Sequence, residues 1–422
     1  ACPARWQDDP AFGPSAANLS SRLPISKMDL DALSSVVDDD IHVAVVVVKR
    51  AGPRRIRVRY LGNKNAATPH QPWSSTKILA ASAASLSLRA QGQRNVGLAS
   101  SCRNASSTAS THLSPTFSTF SRVGDLLTTC CSYDTTLGIS SNQIGAWFQA
   151  VGGHVHADRT LHEWLGAPPE ETFGGDYGES ISTTRLVNER VLVNTPSSSH
   201  PNAAPLGVSL EYPPPRPTIE NHMSALTMAE WMRRIVHARE DGEKERRIRR
   251  RDLGLDHGES VSPFGMEWED AETILYGGSN TAASAYTDKK GDPVDLQWGG
   301  ASMSSDIYLQ RAAGINGTSE VERMANGRWR IFSKLGFGYS SDRSQFELAL
   351  NGYMCLPILN QQDGSSSSGN IHNGGLEFAI SMWASDAEHQ DDGRALDLRF
   401  QQATNNVTQF LLAEYYMPRQ TA

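Results

Sequence analysis

Apolar residues recur with a strand-like pattern near both ends of the chain. Ile41–Lys49 is rich in valine and predicts a buried strand, while the alternation in Arg54–Leu61 predicts a half-exposed partner. Ala51-Gly52-Pro53 separates the two runs and predicts the turn of a hairpin. Three further strand patterns occur near the C terminus, at Trp329–Ser333, Phe346–Leu356 and Glu377–Trp383. Together these runs predict one five-stranded antiparallel sheet built from both chain ends.

Helical patterns flank and interrupt the strand patterns. Ser26-Lys-Met-Asp29 resembles a helix cap, and the apolar stripe from Met28 to Val37 follows it. Leu396, Phe400, Ala403, Val407 and Leu411 predict one face of a final amphipathic helix. The middle of the chain contains four helical patches, Ile78–Arg89, Ile139–Val151, Arg159–Leu165 and Leu226–Arg239. We therefore predict an α/β plus all-α fold, in which terminal helices flank the sheet and a large helical insertion interrupts it.

This change of pattern divides the chain into segments. We expect an N-terminal lead over residues 1–25, an α/β subdomain from 26–73 and 321–422, and a mainly helical subdomain over 74–320. Residues 166–220 within the helical subdomain form an unusually long irregular stretch that contains three consecutive prolines. Loops of that length are functional, disordered or spacers, and we expect an Ω-like loop here.

Composition narrows the function classes. The chain has 422 residues and a formal net charge of −7, which offers no basic surface for nucleic acid. Its densest apolar run, Val43–Val48, has the length of a strand and not of a membrane span. We expect neither nucleic acid nor a membrane as a partner.

Several features favour an oxidising, extracellular location. The chain begins at Ala1 and not at a methionine, as a processed secreted protein would. Four N-glycosylation sequons begin at Asn18, Asn104, Asn316 and Asn406. We therefore expect a secreted glycoprotein.

A single Ser-x-x-Lys sequence, Ser74-Ser-Thr-Lys77, opens the helical patch that begins at Ile78. A spacing of three places both side chains on one helix face, one turn apart. A serine hydroxyl needs a neighbouring base to become a good nucleophile, and lysine serves only with a lowered pKa. The positive end of a helix disfavours an ammonium group and also offers a backbone N–H to an oxyanion. The motif therefore predicts a nucleophile, with a helix cap and a surface lysine as the alternative.

Two further motifs follow in order. Ser140-Ser141-Asn142 begins the next strong helix, and Lys334-Leu335-Gly336 directly ends a strand pattern. With Ser74-Ser-Thr-Lys77, they resemble the Ser-x-x-Lys, Ser-Asp-Asn and Lys-Thr-Gly signatures of the penicillin-recognising serine enzymes, class A β-lactamases in particular. The resemblance extends from about residue 28 to residue 415 and implies a β-lactamase-like fold.

The resemblance also implies roles for these residues. Ser74 would attack the acyl carbon and Lys77 would relay its proton. Ser140 would pass a proton to the leaving group, and Asn142 would hydrogen-bond Lys77 and the substrate amide. Lys334 would add positive charge, which keeps Lys77 deprotonatable and attracts an anion.

Backbone and edge positions complete the implied site. The N–H groups of Ser74 and Phe337 would form the oxyanion hole, beside Leu335 and Gly336 at the substrate edge. Glu189 is the nearest counterpart of a deacylating base, although its surrounding segment is one residue too long for the family spacing.

Two departures from the family pattern bear on activity. Ser141 replaces the acidic residue of the middle motif, and Leu335 replaces a hydroxyl residue that helps to bind a substrate carboxylate. Leucine cannot donate that hydrogen bond. The resemblance with these departures implies a poor β-lactamase.

Two other groups of residues are weaker candidates. Gly278-Ser279-Asn280 also resembles the middle motif but lacks the helix and glycine pair that follow Ser140. His154 and His156 beside Asp158 suggest a metal site, but the sequence shows no further ligand, and a solvated loop is the alternative.

We conclude from the sequence that the chain is a monomeric serine hydrolase that cleaves an amide or ester through an acyl-Ser74 intermediate. It would act on a small-molecule or peptide-like acyl substrate and would need no metal or organic cofactor. DD-peptidase or esterase/transacylase activity on the same fold, and a non-catalytic ligand-binding protein, are the alternatives.

The five cysteines provide a test of the extracellular location. Cys102 paired with Cys130 or Cys131 would tie the segment before Ser140, because oxidising compartments permit disulfides. Thiol titration of the denatured, unreduced protein should count fewer than five free thiols, with the reduced protein as the control. A count of five would contradict both the pairing and the secretory inference.

Overall fold

The computed structural model describes fifteen segments of the chain. They are residues 28–52, 55–76, 78–79, 82–83, 102–104, 161–162, 165–173, 189–193, 206–210, 221–238, 270–271, 308–312, 330–357, 375–386 and 393–416.

The described residues form ten strands and three α-helices. The strands are β1 (His42–Gly52), β2 (Arg55–Gly62), β3 (Pro69–His70), β4 (Cys102–Asn104), β5 (Glu189–Val193), β6 (Leu206–Leu210), β7 (Met223–Ser224), β8 (Arg330–Ser340), β9 (Gln345–Pro357) and β10 (Gly375–Asp386). The helices are α1 (Ala225–Val236), α2 (Tyr308–Ala312) and α3 (Arg394–Leu411). A 3₁₀ turn spans Trp73–Thr76, and a π-helical turn, Leu412–Tyr416, follows α3.

The largest sheet joins the two ends of the chain, as the strand patterns predict. Its strand order is β2-β1-β10-β9-β8, and every neighbouring pair is antiparallel. The central strands β1 and β10 pair Val45 with Ile380, so apolar residues of both meet on one face. The predicted five-stranded antiparallel sheet is confirmed.

One face of this sheet is apolar and packs against α3; we call it the α3 face. Val43, Val45 and Val47 of β1 belong to its core, with Phe378 and Ile380 of β10. The buried positions of α3 include all those that the sequence predicts for one helix face, and they complete the core: Leu396, Phe400, Ala403, Val407 and Leu411. Every second residue of the strands and one face of the helix are apolar, and these two sets of residues are buried against each other.

The opposite face packs against α1, which contacts β1, β9 and β10; we call it the α1 face. Ser224 caps α1, because its Oγ accepts a hydrogen bond from the N–H of Thr227 at 3.2 Å.

The interface between α1 and the sheet contains buried charge. Glu230 receives hydrogen bonds from Tyr60 at 3.0 Å, from Arg233 at 2.9 and 3.0 Å, and from Arg234 at 2.6 Å. All four of these residues are buried.

Two sequence predictions about local structure are wrong. Residues 30–36 form consecutive turns and not the predicted N-terminal helix, since Asp29 is drawn to β2 by hydrogen bonds with Tyr60 and Gly62. The predicted irregular stretch 166–220 contains β5 and β6, which form a three-stranded sheet with β4. Alternating apolar residues in Leu206–Leu210 provide the strand pattern.

Much of the predicted helical insertion lies outside the described residues, and the division into subdomains stays a prediction. None of the helices in the described segments is long and apolar enough to cross a membrane.

Glu230 gives a prediction about acid stability. Burial raises the pKa of its carboxyl, but the guanidinium groups of Arg233 and Arg234 outweigh burial and lower it from 4.5 to about 2. Its stabilising contribution is therefore complete above pH 4.5 and is lost as the pH falls towards about 2. The shift corresponds to about 3 kcal/mol.

Glu230→Gln should destabilise the protein at neutral pH by about 3–5 kcal/mol, because two guanidinium groups lose their buried counter-charge. Urea denaturation between pH 2 and 7 should show a flatter acid dependence than in the wild type. Asp38→Asn, at an exposed ion pair with Arg399, is the control and should change stability by less than about 0.5 kcal/mol. An unchanged acid slope in Glu230→Gln would contradict the assignment.

Candidate active site

Ser74 lies in the 3₁₀ turn Trp73–Thr76, which directly precedes the helical residues Ile78 and Leu79. Two hydroxyl groups fix the turn: Ser75 Oγ donates to the carbonyl of Pro72 at 2.6 Å, and Thr76 Oγ1 to that of Trp73 at 2.9 Å. A 3₁₀ turn is a common start of a helix. The prediction that Ser74 lies at a helix start is consistent with this geometry.

The helix start is anchored beneath α1. Ile78, Leu79 and Ser82 are buried, and Trp231 of α1 donates its indole N–H to Ser82 Oγ at 2.9 Å. The segment that follows Ser74 is thus held against the same helix that covers the sheet.

Lys334 is buried within the edge strand β8. Its side chain is 4% exposed, and its Nζ donates a hydrogen bond to the carbonyl of Leu335 at 2.9 Å. The sequence places this lysine just after a strand, and that boundary is wrong: β8 continues to Ser340. The strand continues because its pairing with β9 extends unbroken to the hairpin at 341–344.

Two glycines of β8 bring the first and third motifs together. A Cβ on Gly336 would lie 2.4 Å from the carbonyl oxygen of Pro72 and 2.9 Å from the N of Ser75. A Cβ on Gly338 would lie 2.5 Å from the indole ring of Trp73. Only glycine permits this close an approach. Residues on the two sides of Ser74 therefore lie directly on the strand that carries Lys334.

Trp73 holds an unusual backbone conformation next to the predicted nucleophile. Its φ is +50°, in the left-handed region that costs a non-glycine residue roughly 1–3 kcal/mol. Its indole Nε1 donates to Glu347 Oε2 at 2.8 Å, and Glu347 is fully buried. No local sequence signal marks Glu347, because its partner Trp73 lies 274 positions away in the chain.

The other predicted edge residues, Leu335 and Phe337, alternate with Lys334 and Gly336 along β8. Leu335 packs against the apolar core of the α3 face. Phe337 is 49% exposed and stacks on Phe346 with ring centroids 5.5 Å apart. Their side chains thus lie on the face of β8 opposite the Ser74 turn.

The ends of the predicted Ω-like loop meet beside this site. Thr172 and His222 exchange two backbone hydrogen bonds of 2.8 Å, and Ser224 Oγ donates to Glu171 at 2.7 Å. Burial raises the pKa of Glu171, although hydrogen bonds from Ser224 oppose it. Because β7 also pairs with β3, the loop ends lie next to the segment that leads into Ser74.

That leading segment contains a buried histidine. His70 stacks on Trp383 with centroids 5.2 Å apart and meets His42 edge-on at 5.5 Å. Burial lowers the pKa of His70 well below its ordinary value, and the neighbouring His42 lowers it further. A neutral imidazole there packs as an aromatic ring between strand and turn.

Several predicted residues are not placed by the structure. Lys77, Ser140 and Asn142 lie outside the described residues, as do the rival motif at 278–280 and the histidines at 154 and 156. In the segments described, no group of three histidine, cysteine or acidic side chains could hold a metal ion. Glu189 begins β5 in the separate three-stranded sheet, opposite Leu210, and its catalytic role stays a prediction.

The glycosylation and disulfide predictions are also untested. Asn18, Asn316, Cys130 and Cys131 lie outside the described residues, and Asn104 ends β4. Asn406 lies within α3, where its amide nitrogen donates to the carbonyl of Val36 at 3.1 Å.

Comparisons with known proteins give low similarity throughout. No protein-family model matches the chain, and no curated protein sequence matches it. An ancestral class A β-lactamase is 14% identical, with a TM-score of 0.39 over 90% of this chain and 98% of that one. A β-lactamase from Streptosporangium roseum is 10% identical, with a TM-score of 0.37 over 90% and 94%.

The C-terminal domain of the Bacillus licheniformis BlaR penicillin receptor is 9% identical, with a TM-score of 0.35 over 93% of this chain and 98% of that one. The five-stranded sheet is consistent with a β-lactamase-like fold.

The contact at Gly336 predicts the effect of a single methyl group. Gly336→Ala should destabilise the protein by about 1–3 kcal/mol and displace the Ser74 turn, because the new Cβ meets backbone atoms that cannot rotate away. Urea denaturation and the rate of labelling by a serine-directed phosphonate would measure the two effects.

Gly352→Ala is the matched control, since its Cβ would meet the Leu309 side chain, 2.7 Å away on the α3 face. It should cost stability without slowing the labelling. Equal labelling rates in the two variants would contradict the placement of the turn on β8.

Proposed function

We propose that this protein is a serine hydrolase that cleaves an amide or ester through an acyl-Ser74 intermediate. The observation that supports it best is the contact of Gly336 with Pro72 and Ser75, which brings two sequence motifs 260 positions apart to one place. If Ser74 were only a helix cap and Lys334 an unrelated lysine of a strand, nothing would require their two segments to be in contact.

The roles of the residues in the proposed reaction are those that the resemblance to penicillin-recognising enzymes implies. Ser74 Oγ attacks the acyl carbon and its proton passes to the Lys77 amine. The leaving group takes a proton through Ser140, and water then releases the acyl group from Ser74. Asn142 orients Lys77 and the substrate amide.

Buried positive charge supports this assignment. Lys334 is almost fully buried on the strand against which the Ser74 turn packs. A buried ammonium interacts strongly with charge that develops nearby, because little water screens it. Lys334 would therefore stabilise the oxyanion and disfavour a second ammonium at Lys77.

The position of Leu335 supports a preference for uncharged acyl groups. Its side chain packs against the α3-face core and has no hydrogen-bond donor for a carboxylate. A substrate carboxylate at this edge would thus have lost one hydrogen bond to a charged group, which is worth roughly 1.5–3 kcal/mol.

The first test of this proposal is Ser74→Ala. It should abolish turnover of aryl esters and labelling by a serine-directed phosphonate, a loss of at least ~10³-fold. Intact-mass measurement with peptide mapping would locate the label. Ser333→Ala, on the α3 face of the same strand, is the control and should be labelled normally. Wild-type labelling in Ser74→Ala would overturn the proposal.

The second test concerns specificity. The wild type should have a higher kcat/KM for a neutral aryl ester than for a penicillin, by about ten- to a hundredfold. Leu335→Thr should give the same ratio as Leu335→Val, because the side chain of residue 335 lies on the α3 face and a hydroxyl there does not reach a substrate beside the Ser74 turn. Valine has the shape of threonine without its hydroxyl, so the pair isolates the hydrogen bond. A shift towards the penicillin in Leu335→Thr alone would show that this side chain reaches the substrate.

A further inference from the structure

The carboxylate of Glu347 is fully buried and accepts four hydrogen bonds. Arg343 donates from Nε to Oε1 at 2.5 Å and from Nη2 to Oε2 at 3.0 Å, while Gln345 Nε2 donates to Oε1 at 2.8 Å. The fourth donor is the indole N–H of Trp73, 2.8 Å from Oε2. A carboxylate has about four acceptor sites, so every one is used and the group is fixed.

This fixed carboxylate accepts a hydrogen bond from the side chain of Trp73, the residue that directly precedes Ser74. Trp73 is held at φ +50°, and such a conformation persists only where surrounding contacts outweigh its cost. The contacts are visible: the Nε1–Glu347 hydrogen bond fixes one edge of the indole, and Gly338 lies against its ring.

We propose that Glu347 is a positioning residue that acts through Trp73 to hold Ser74 in its reactive place. The inference rests on the proposed function. It extends the site to the β8–β9 hairpin, because Arg343 lies in that exposed turn and reaches back to the buried carboxylate. A reaction that needs aligned atoms is sensitive to a displacement of 1 Å, which can cost about 10²-fold in rate.

Three single variants and one double variant test this proposal. Trp73→Phe removes the N–H and keeps a ring, Glu347→Gln removes the charge, and Arg343→Gln removes a bidentate donor at the surface. Each should slow acylation of Ser74 by a phosphonate by about 10- to 100-fold, or by a few-fold for Arg343→Gln. The double variant Trp73→Phe/Glu347→Gln should be no slower than Trp73→Phe, because both act through one bond.

The measurements are the acylation rate per folded molecule, the site of the label, and the urea midpoint. Tyr60→Phe is the matched control, since it also removes a buried aromatic donor to a buried carboxylate, Glu230 at 3.0 Å, but on β2 at the opposite edge of the sheet. It should lose stability and keep a labelling rate within about twofold of the wild type. Glu347→Gln and Arg343→Gln serve if Trp73→Phe does not fold.

The outcomes separate the two proposals. If the wild type is not labelled at Ser74, the hydrolase proposal fails and the positioning role fails with it. If Ser74 is labelled at the wild-type rate in the Trp73 and Glu347 variants, the hydrolase proposal stands and the positioning role is wrong. Multiplicative losses in the double variant, or losses that follow the urea midpoint as in Tyr60→Phe, would also overturn it.

Discussion

The close packing of the Ser74 turn on β8 is the constraint on which the rest of the site depends. Backbone atoms of Pro72 and Ser75 occupy the space in which a Cβ at residue 336 would lie. Such contact requires glycine, and it fixes the turn relative to Lys334 two residues earlier on the strand. Trp73, whose φ is +50°, belongs to the same turn, and its indole ring lies against Gly338.

The two faces of the sheet differ in the residues that they bury: those on the α3 face are apolar, and those on the α1 face include charged groups. The α3 face is apolar and supplies the hydrophobic stabilisation of the fold. The α1 face buries charged groups that need partners, and the structure supplies them. His237 shows this: Nδ1 lies 2.8 Å from the carbonyl oxygen of Arg233, and Nε2 lies 2.7 Å from Oε1 of Glu377. The same carboxylate oxygen accepts a hydrogen bond from the Tyr353 hydroxyl.

The sequence predicts the sheet and α3 well because both have local signals. Period-two runs mark β1 and β10, and the spacing from Leu396 to Leu411 marks the buried face of α3. The Ser-x-x-Lys motif likewise predicts, from adjacent residues alone, that Ser74 lies at the start of a helix, which agrees with the 3₁₀ turn at Trp73–Thr76. Predictions of this kind depend only on neighbours in the chain, so tertiary contacts seldom reverse them.

The parts that could not be predicted depend on distant partners. No pattern around Glu347 distinguishes it from an exposed acidic residue of a strand, because Trp73, to which it is hydrogen-bonded, lies 274 positions away in the chain. The strand end at Ser333 was placed too early for a similar reason. Gly336 and Gly338 weaken a strand in isolation, but here they are required because another part of the backbone lies on them.

The same reasoning explains how the edge strand β8 is covered. An edge strand has free backbone groups, and proteins usually cover or charge such an edge. Here the Ser74 turn covers the α1 side of β8, while Leu335 and Phe337 engage the α3 side. The turn that contains the proposed nucleophile Ser74 and the buried ammonium of Lys334 thus lie together at one edge of the described sheet.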